Sequence, residues 1–259
     1  YYTSSALHEA KAREVISADR LVYPLNTRFI DVECASPLFE DYSTVHPATR
    51  REDAGYRYNL LALVKDEFGL VTGSEEARDW TFSRVDYGEG VMTIAAPTKA
   101  GWDWTTPITD PGEKFITQTV NPKARIPLHG LAFHDVHVAT WYTGDGVSKV
   151  PAYWDHKDLF TILYGTMPLI SFPSKTYAFE NLPRYLRTYH LCSAVFRNVG
   201  FDTMTTHQFL SQDWTLQQSI FENGWTVTAN FSDDSVHFDG QTLPSLGFWA
   251  AGGNDQVYR

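Results

Sequence analysis

Apolar positions return at two different periods along the chain. Ala54, Tyr58, Leu61, Val64 and Phe68 recur at helical intervals behind Thr49-Arg50-Arg51-Glu52, which has the spacing of a capping box. Gly69 stands where such a helix would close. Short β-prone runs flank it, 27–34 before and 70–74 after, and each breaks out into acids: Asp31 and Glu33 in the first, Glu75-Glu76 after the second. Strand, helix and strand fit within about 50 residues, the signature of a βαβ unit, whose parallel strands end on one edge of the sheet. A leading helix is predicted over 5–19, stopped by Pro24, and others over 158–164 and 181–198, the last with Leu182, Leu186, Tyr189 and Phe196 on one face. Further strands are predicted at 91–95, 127–137 and 167–172.

After about residue 200 the texture changes. Asn223-Gly224 separates the β-prone runs 216–221 and 225–231, and Asp239-Gly240 precedes another, so antiparallel hairpins are expected. The pattern thus reads as α/β units over 1–202 followed by a small all-β end over 203–259. Four or five parallel strands are too few to close an eight-stranded barrel, so a barrel would need strands from outside this sequence. The opening Tyr1-Tyr2-Thr3, without Met, leads to the expectation of a segment of a longer protein.

Composition narrows the function classes. The chain of 259 residues is 43% hydrophobic and 20% charged, ordinary globular values. Its 31 acidic against 21 basic side chains repel a phosphate backbone, arguing against nucleic acid or an anionic membrane as partner and in favour of a neutral substrate. Nothing in the sequence is apolar for long enough to span a membrane. Aromatic residues reach 15%, which suits stacking on sugar rings as well as core filling. Cys34 and Cys192 make neither a disulfide framework nor a zinc site by spacing.

In parallel α/β folds reactive groups gather at the C-terminal ends of strands, which singles out Asp31, Glu33, Glu75, Glu76, His134, Asp135 and His137. Alternation along a strand puts Asp31 and Glu33 on one face. Asp31 and either Glu75 or Glu76 could then approach within the roughly 5 to 5.5 Å that a retaining glycosidase needs between nucleophile and acid/base. The competing reading makes these acids helix caps, or partners of Arg50, Arg51 or Arg78. Glu76 fits that reading best, because Glu-Ala-Arg-Asp-Trp resembles a first helical turn, which leaves Glu75 as the stronger candidate. In a strand over 127–137, Asp135 and His137 would share a face opposite His134, too few ligands for a metal and better suited to substrate hydroxyls or, for a histidine, the core. Tyr142, Trp154 and Asp155 follow in loops that could line the same mouth, or pack in the ordinary way.

Several strings taken together resemble the catalytic half of glycoside hydrolases related to families 101 and 129. They are Phe29-Ile30-Asp31-Val32, His46-Pro47-Ala48-Thr49-Arg50-Arg51-Glu52-Asp53-Ala54, Gly69-Leu70-Val71-Thr72-Gly73-Ser74-Glu75, Asp79-Trp80, His134-Asp135-Val136-His137, Tyr153-Trp154-Asp155 and Tyr164-Gly165-Thr166-Met167-Pro168. The resemblance covers roughly residues 25–175. It implies the later strands of a (β/α)8 TIM-type barrel followed by β-sandwich strands. The implied activity is retaining hydrolysis of α-linked N-acetylgalactosamine or a similar α-galactosyl-type sugar, with Asp31 as nucleophile and Glu75 as acid/base. His134, Asp135, Trp80, Tyr142 and Asp155 form the expected substrate-binding set. No cofactor and no metal are expected, and the expected partners are the carbohydrate and the missing N-terminal part of the barrel. Two departures stand out: the early barrel strands are absent, and Glu76 offers a second acid beside Glu75. A carbohydrate-binding protein without turnover, and a metal-dependent hydrolase using Asp135, His137 and a carboxylate, are the rival readings.

Overall fold

The computed structural model describes residues 3–97 and 106–258, which divide into two compact units, 1–89 and 90–259. In the first, a 3-10 turn at Ser5–Leu7 leads into helix α1 (His8–Val22), then strand β1 (Thr27–Ile30), helix α2 (Arg50–Ala62), strand β2 (Val71–Glu75) and strand β3 (Tyr87–Glu89). The capping box forms: the Glu52 amide donates to Thr49 Oγ1 at 3.3 Å and the Thr49 amide to the Glu52 carboxylate at 2.8 Å. After α2 the chain continues as a π-helical turn over Leu63–Glu67, and Gly69, at φ 65°, supplies the left-handed residue that ends it.

β1 and β2 are parallel, in the register Phe29↔Gly73 and Ile30↔Ser74, and β3 joins β2 in parallel through Gly73↔Tyr87 and Glu75↔Glu89. Ile16, Val64 and Leu70 form one apolar cluster and Cys34, Leu61 and Val85 another, with Ile30 packed against both. Ile30 therefore points into the core, and its neighbour Phe29 takes the opposite face, where its ring lies 6.1 Å from that of Tyr87. Gly73 belongs to this face too. A Cβ there would fall 2.1 Å from the Tyr87 ring, so only glycine lets the ring lie down on the strand. β1 is shorter than the sequence suggested. It stops at Ile30, and Asp31 to Glu33 form a turn with Val32 at φ 67°, so strand alternation does not relate Asp31 to Glu33.

The second unit holds helix α3 (Leu128–Phe133), the two-residue strand β4 (Val138–Ala139), and helices α4 (Trp154–Leu163), α5 (Lys175–Glu180) and α6 (Leu182–Val199). Strands β5 (Met204–Phe209), β6 (Leu216–Phe221), β7 (Thr226–Asn230), β8 (Val236–Phe238), β9 (Gln241–Leu243), β10 (Phe248–Gly252) and β11 (Asp255–Tyr258) follow. Five of them make an antiparallel sheet in the order β11-β10-β7-β6-β5, and β8 pairs with β9 as a separate hairpin. Asn223-Gly224 sits between β6 and β7, and Asp239-Gly240 between β8 and β9, as the turn residues predicted. The core of this unit joins the helices to the sheet: Trp154, Phe160 and Leu163 of α4 and Val195 of α6 share one cluster with Phe221, Val227 and Ala250.

Three expected strands are absent. Residues 127–137 form α3 and a following turn, because Pro127 leads the helix and Leu131 and Gly130 pack inward, the latter against Met204. Residues 91–95 are irregular, although the Met92 amide still finds the Thr140 carbonyl at 3.0 Å, and 167–172 are irregular too. Among the described residues no helix is long and apolar enough to cross a membrane.

Candidate active site

The three parallel strands of the first unit deliver carboxyl groups to one edge. Asp31 follows directly on the pair Ile30↔Ser74, and Glu75 is the last residue of β2, paired in register with Glu89. Asp31 is exposed and Glu75 half-buried. The pKa of Glu75 is shifted upward from the ordinary glutamate value, first by burial and then by the negative charges of Asp31 and Glu76. The two acids chosen from strand ends therefore lie within electrostatic reach of each other, and their environments differ.

Glu76 is a different kind of residue. It sits at φ 55°, is exposed, and its carboxylate lies 3.6 Å from the Arg78 guanidinium. The helix expected after Glu75 does not form; the chain makes one 3-10 turn at Asp79–Thr81. Trp80 lies in that turn, partly buried, its amide donating to Asp79 Oδ1 at 2.9 Å.

The turn that carries Asp31 is held from several sides. Ser74 Oγ donates to the Ile30 carbonyl at 2.7 Å and accepts from the Cys34 amide at 3.3 Å. Glu33, which an alternating strand would have placed beside Asp31, is instead 2.8 Å from His8 of α1 and 3.8 Å from Arg57 of α2. The Glu33 carboxylate raises the His8 pKa above the usual histidine value. A groove of about 590 Å³ opens beside this turn, lined among others by His8, Val32, Glu33, Phe39, Tyr42 and Arg57.

In the second unit most of the sequence candidates have structural partners. His134 is buried, with Nδ1 2.7 Å from the Asp202 carbonyl and Nε2 2.9 Å from that of Tyr164, so both ring nitrogens face backbone oxygens. Asp135 is exposed in the turn after α3, and the strand faces expected for 134–137 do not exist. His137 is buried with Nδ1 3.0 Å from Nε2 of His129, and desolvation drops the two imidazoles to about 3 and about 4 respectively. Tyr142 is half-buried, its amide donating to Thr93 Oγ1 at 3.0 Å. Asp155 opens α4 and pairs with Arg184 at 3.2 Å and with Arg187, while Trp154 is fully buried, its indole donating to Thr188 at 2.7 Å. Among the described residues no group of three or more His, Cys, Asp or Glu is arranged to hold a metal ion.

Sequence reasoning missed Glu89, the third carboxyl of the strand edge, because its three-residue strand carries no periodic signal. It also missed Arg57. The spacing of four from Asp53 on a helix was the available signal.

Comparison with known proteins agrees with the resemblance read from the sequence. Residues 1–107 match the family model for glycosyl hydrolases related to the GH101 family, GH129. No curated protein matches the chain. Among solved structures it is similar to the ligand-free α-N-acetylgalactosaminidase NagBb from Bifidobacterium bifidum, with a TM-score of 0.66 and 20% identity over 94% of this chain and 35% of that one. The complex of that enzyme with GalNAc gives a TM-score of 0.64 at 20% identity over 95% and 35%, and its Gal-NHAc-DNJ complex 0.64 at 19% over 88% and 34%. The chain thus shares a fold with these structures and spans about a third of their length.

Proposed function

We propose that this chain carries the catalytic strand ends of a retaining α-glycoside hydrolase acting on α-linked N-acetylgalactosamine or a related α-galactosyl-type sugar. In this reading the parallel strands are later strands of a (β/α)8-type barrel and the antiparallel sheet is part of a β-sandwich. The observation that carries the proposal is the pairing of an exposed Asp31 with a half-buried Glu75 on the neighbouring strand end, whose pKa is raised by burial and by the charge of Asp31. The GH129 match over the residues that contain both acids supports it.

The chemistry follows from that division of labour. A carboxylate oxygen of Asp31 attacks the anomeric carbon as the bond from that carbon to the leaving oxygen breaks, and the leaving oxygen takes the proton of Glu75. Glu75, now ionised, accepts a proton from water, whose oxygen displaces Asp31 and restores the original anomeric configuration. The repulsion from Asp31 that helps raise the Glu75 pKa before the first step disappears once Asp31 is esterified, so that pKa falls and the ionised Glu75 serves as the base of the second step. His134, with both nitrogens facing backbone carbonyls, and Asp155, held by two arginines, have no part in these steps. Trp80, in the turn after β2, is proposed to contact substrate.

The test is Asp31→Ala with an aryl α-N-acetylgalactosaminide. Turnover should vanish while the circular dichroism spectrum is unchanged, and azide should restore release of the phenol with a β-glycosyl azide as product. Full activity in Asp31→Ala would contradict the assignment.

A further inference from the structure

Val32, directly after Asp31, adopts φ 67°, a left-handed conformation that β-branched residues resist and that persists only where the surroundings impose it. The turn that follows it is held by a run of hydrogen bonds to consecutive carbonyls. Arg57 Nη1 donates to the carbonyls of Glu33 and Ser36, both at 3.1 Å, and Nη2 to that of Pro37 at 2.9 Å. Arg78 takes the two between them, Nε donating to Cys34 at 2.8 Å and Nη2 to Ala35 at 2.9 Å. Every backbone oxygen from residue 33 to 37 is thereby held by a guanidinium.

The two arginines are not equivalent. The Arg78 side chain is 42% exposed and shared with Glu76, whereas Arg57 is 4% exposed and aimed by its own helix. Asp53, one turn earlier on α2, receives Arg57 Nε at 3.2 Å and lies 2.9 Å from Nη2, and its other role is to accept the Phe39 amide at 2.9 Å. Helix α2 thus presents a prealigned fork to the turn. Three donors in fixed geometry reach three carbonyls, which an ammonium on a flexible stem cannot reproduce.

We propose that Arg57 is a positioning residue for Asp31: its guanidinium clamps the 33–37 turn and so fixes where the nucleophile's carboxylate stands relative to Glu75. The proposal rests on the catalytic reading of Asp31 and adds to it the device that holds the nucleophile in place. A displacement of the carboxylate by about 1 Å is enough to cost roughly 10²-fold in turnover while ground-state binding of the sugar is little changed.

The experiment measures Arg57→Lys and Arg57→Gln in the full chain by amide hydrogen exchange and by hydrolysis of an aryl α-N-acetylgalactosaminide, with Asp31→Asn as reference. Exchange in peptides covering 31–39 should accelerate by about tenfold or more in both variants while the antiparallel sheet keeps its protection. kcat should fall roughly 10²-fold with KM changed less than about threefold, Lys retaining more than Gln. Unchanged exchange at 31–39 would overturn the clamp whatever the kinetics. A wild-type kcat in Arg57→Lys with Asp31→Asn inactive would overturn the positioning role alone, and full turnover in Asp31→Asn would instead defeat the catalytic reading beneath it.

Discussion

Replacing Glu75 by glutamine separates the acid/base role from a binding role. The change preserves length and shape at the end of β2, where the side chain is only half-buried, so its packing cost should stay within about 0.5 kcal/mol. In the proposed mechanism it removes the proton that Glu75 gives the leaving oxygen. General acid catalysis contributes about 10²- to 10⁴-fold, which at about 1.36 kcal/mol per tenfold is roughly 2.7 to 5.4 kcal/mol of the barrier. That loss falls only on substrates whose leaving group needs protonation. Along a series of aryl and alkyl α-N-acetylgalactosaminides, kcat/KM of Glu75→Gln should therefore drop steeply for alkyl aglycones and little for nitrophenyl ones, and the alkaline limb of the wild-type pH profile should disappear. A uniform drop across the series would refute the reasoning. Stability gives an independent reading with a definite sign. Because the folded-state pKa of Glu75 is raised above 4.5, the native state binds more protons than the unfolded one as pH rises through that value. Wild-type stability is lost across that window as the buried group ionises, and Glu75→Gln, which cannot ionise, should lack this loss in urea titrations at successive pH values.

Thr49→Ala removes the capping box of α2 and should cost about 1 kcal/mol, seen as a lower urea midpoint with an unchanged m-value. Asp145→Asn leaves the fully buried Lys157 ammonium, 3.1 Å away, without its ion-pair partner and should destabilise by about 3 to 5 kcal/mol in thermal unfolding. The same lysine, lowered to about 8 from 10.5, binds fewer protons when folded than when unfolded, so wild-type stability should rise with pH between those values. His137, held down to about 3 by burial, must gain a proton on unfolding. Stability should accordingly fall as pH drops below 6.5, and His137→Leu should flatten that slope in acid titrations; an unchanged slope would place the acid sensitivity elsewhere.

Much of this was written in local sequence. The capping box, the closing Gly69 and the two hairpin turns depend on residues a few positions apart, and each formed as its spacing dictates; α6 formed too, but it buries Tyr185, Cys192, Val195 and Val199 and leaves Leu182, Leu186 and Tyr189 of the predicted face exposed. The parallel pairing of β1 with β2 was also legible, because a strand, a helix and a strand in so short a stretch leave the chain one way to return. From that pairing came the juxtaposition of Asp31 and Glu75. Tertiary structure decided the rest. Residues 127–137 are apolar enough for a strand or a helix, and only the contacts of Gly130 and Leu131 with distant parts of the second unit select the helix. His134 reads as a substrate ligand until carbonyls from residues 202 and 164 close on its ring. Asp155 reads as a loop acid until α6 brings two arginines to it. Arg57, which holds carbonyls of the 33–37 turn, reaches them from helix α2. Periodicity records what neighbours along the chain can satisfy, whereas a buried polar group takes whichever partner folding carries to it from far away, and no local pattern encodes that choice.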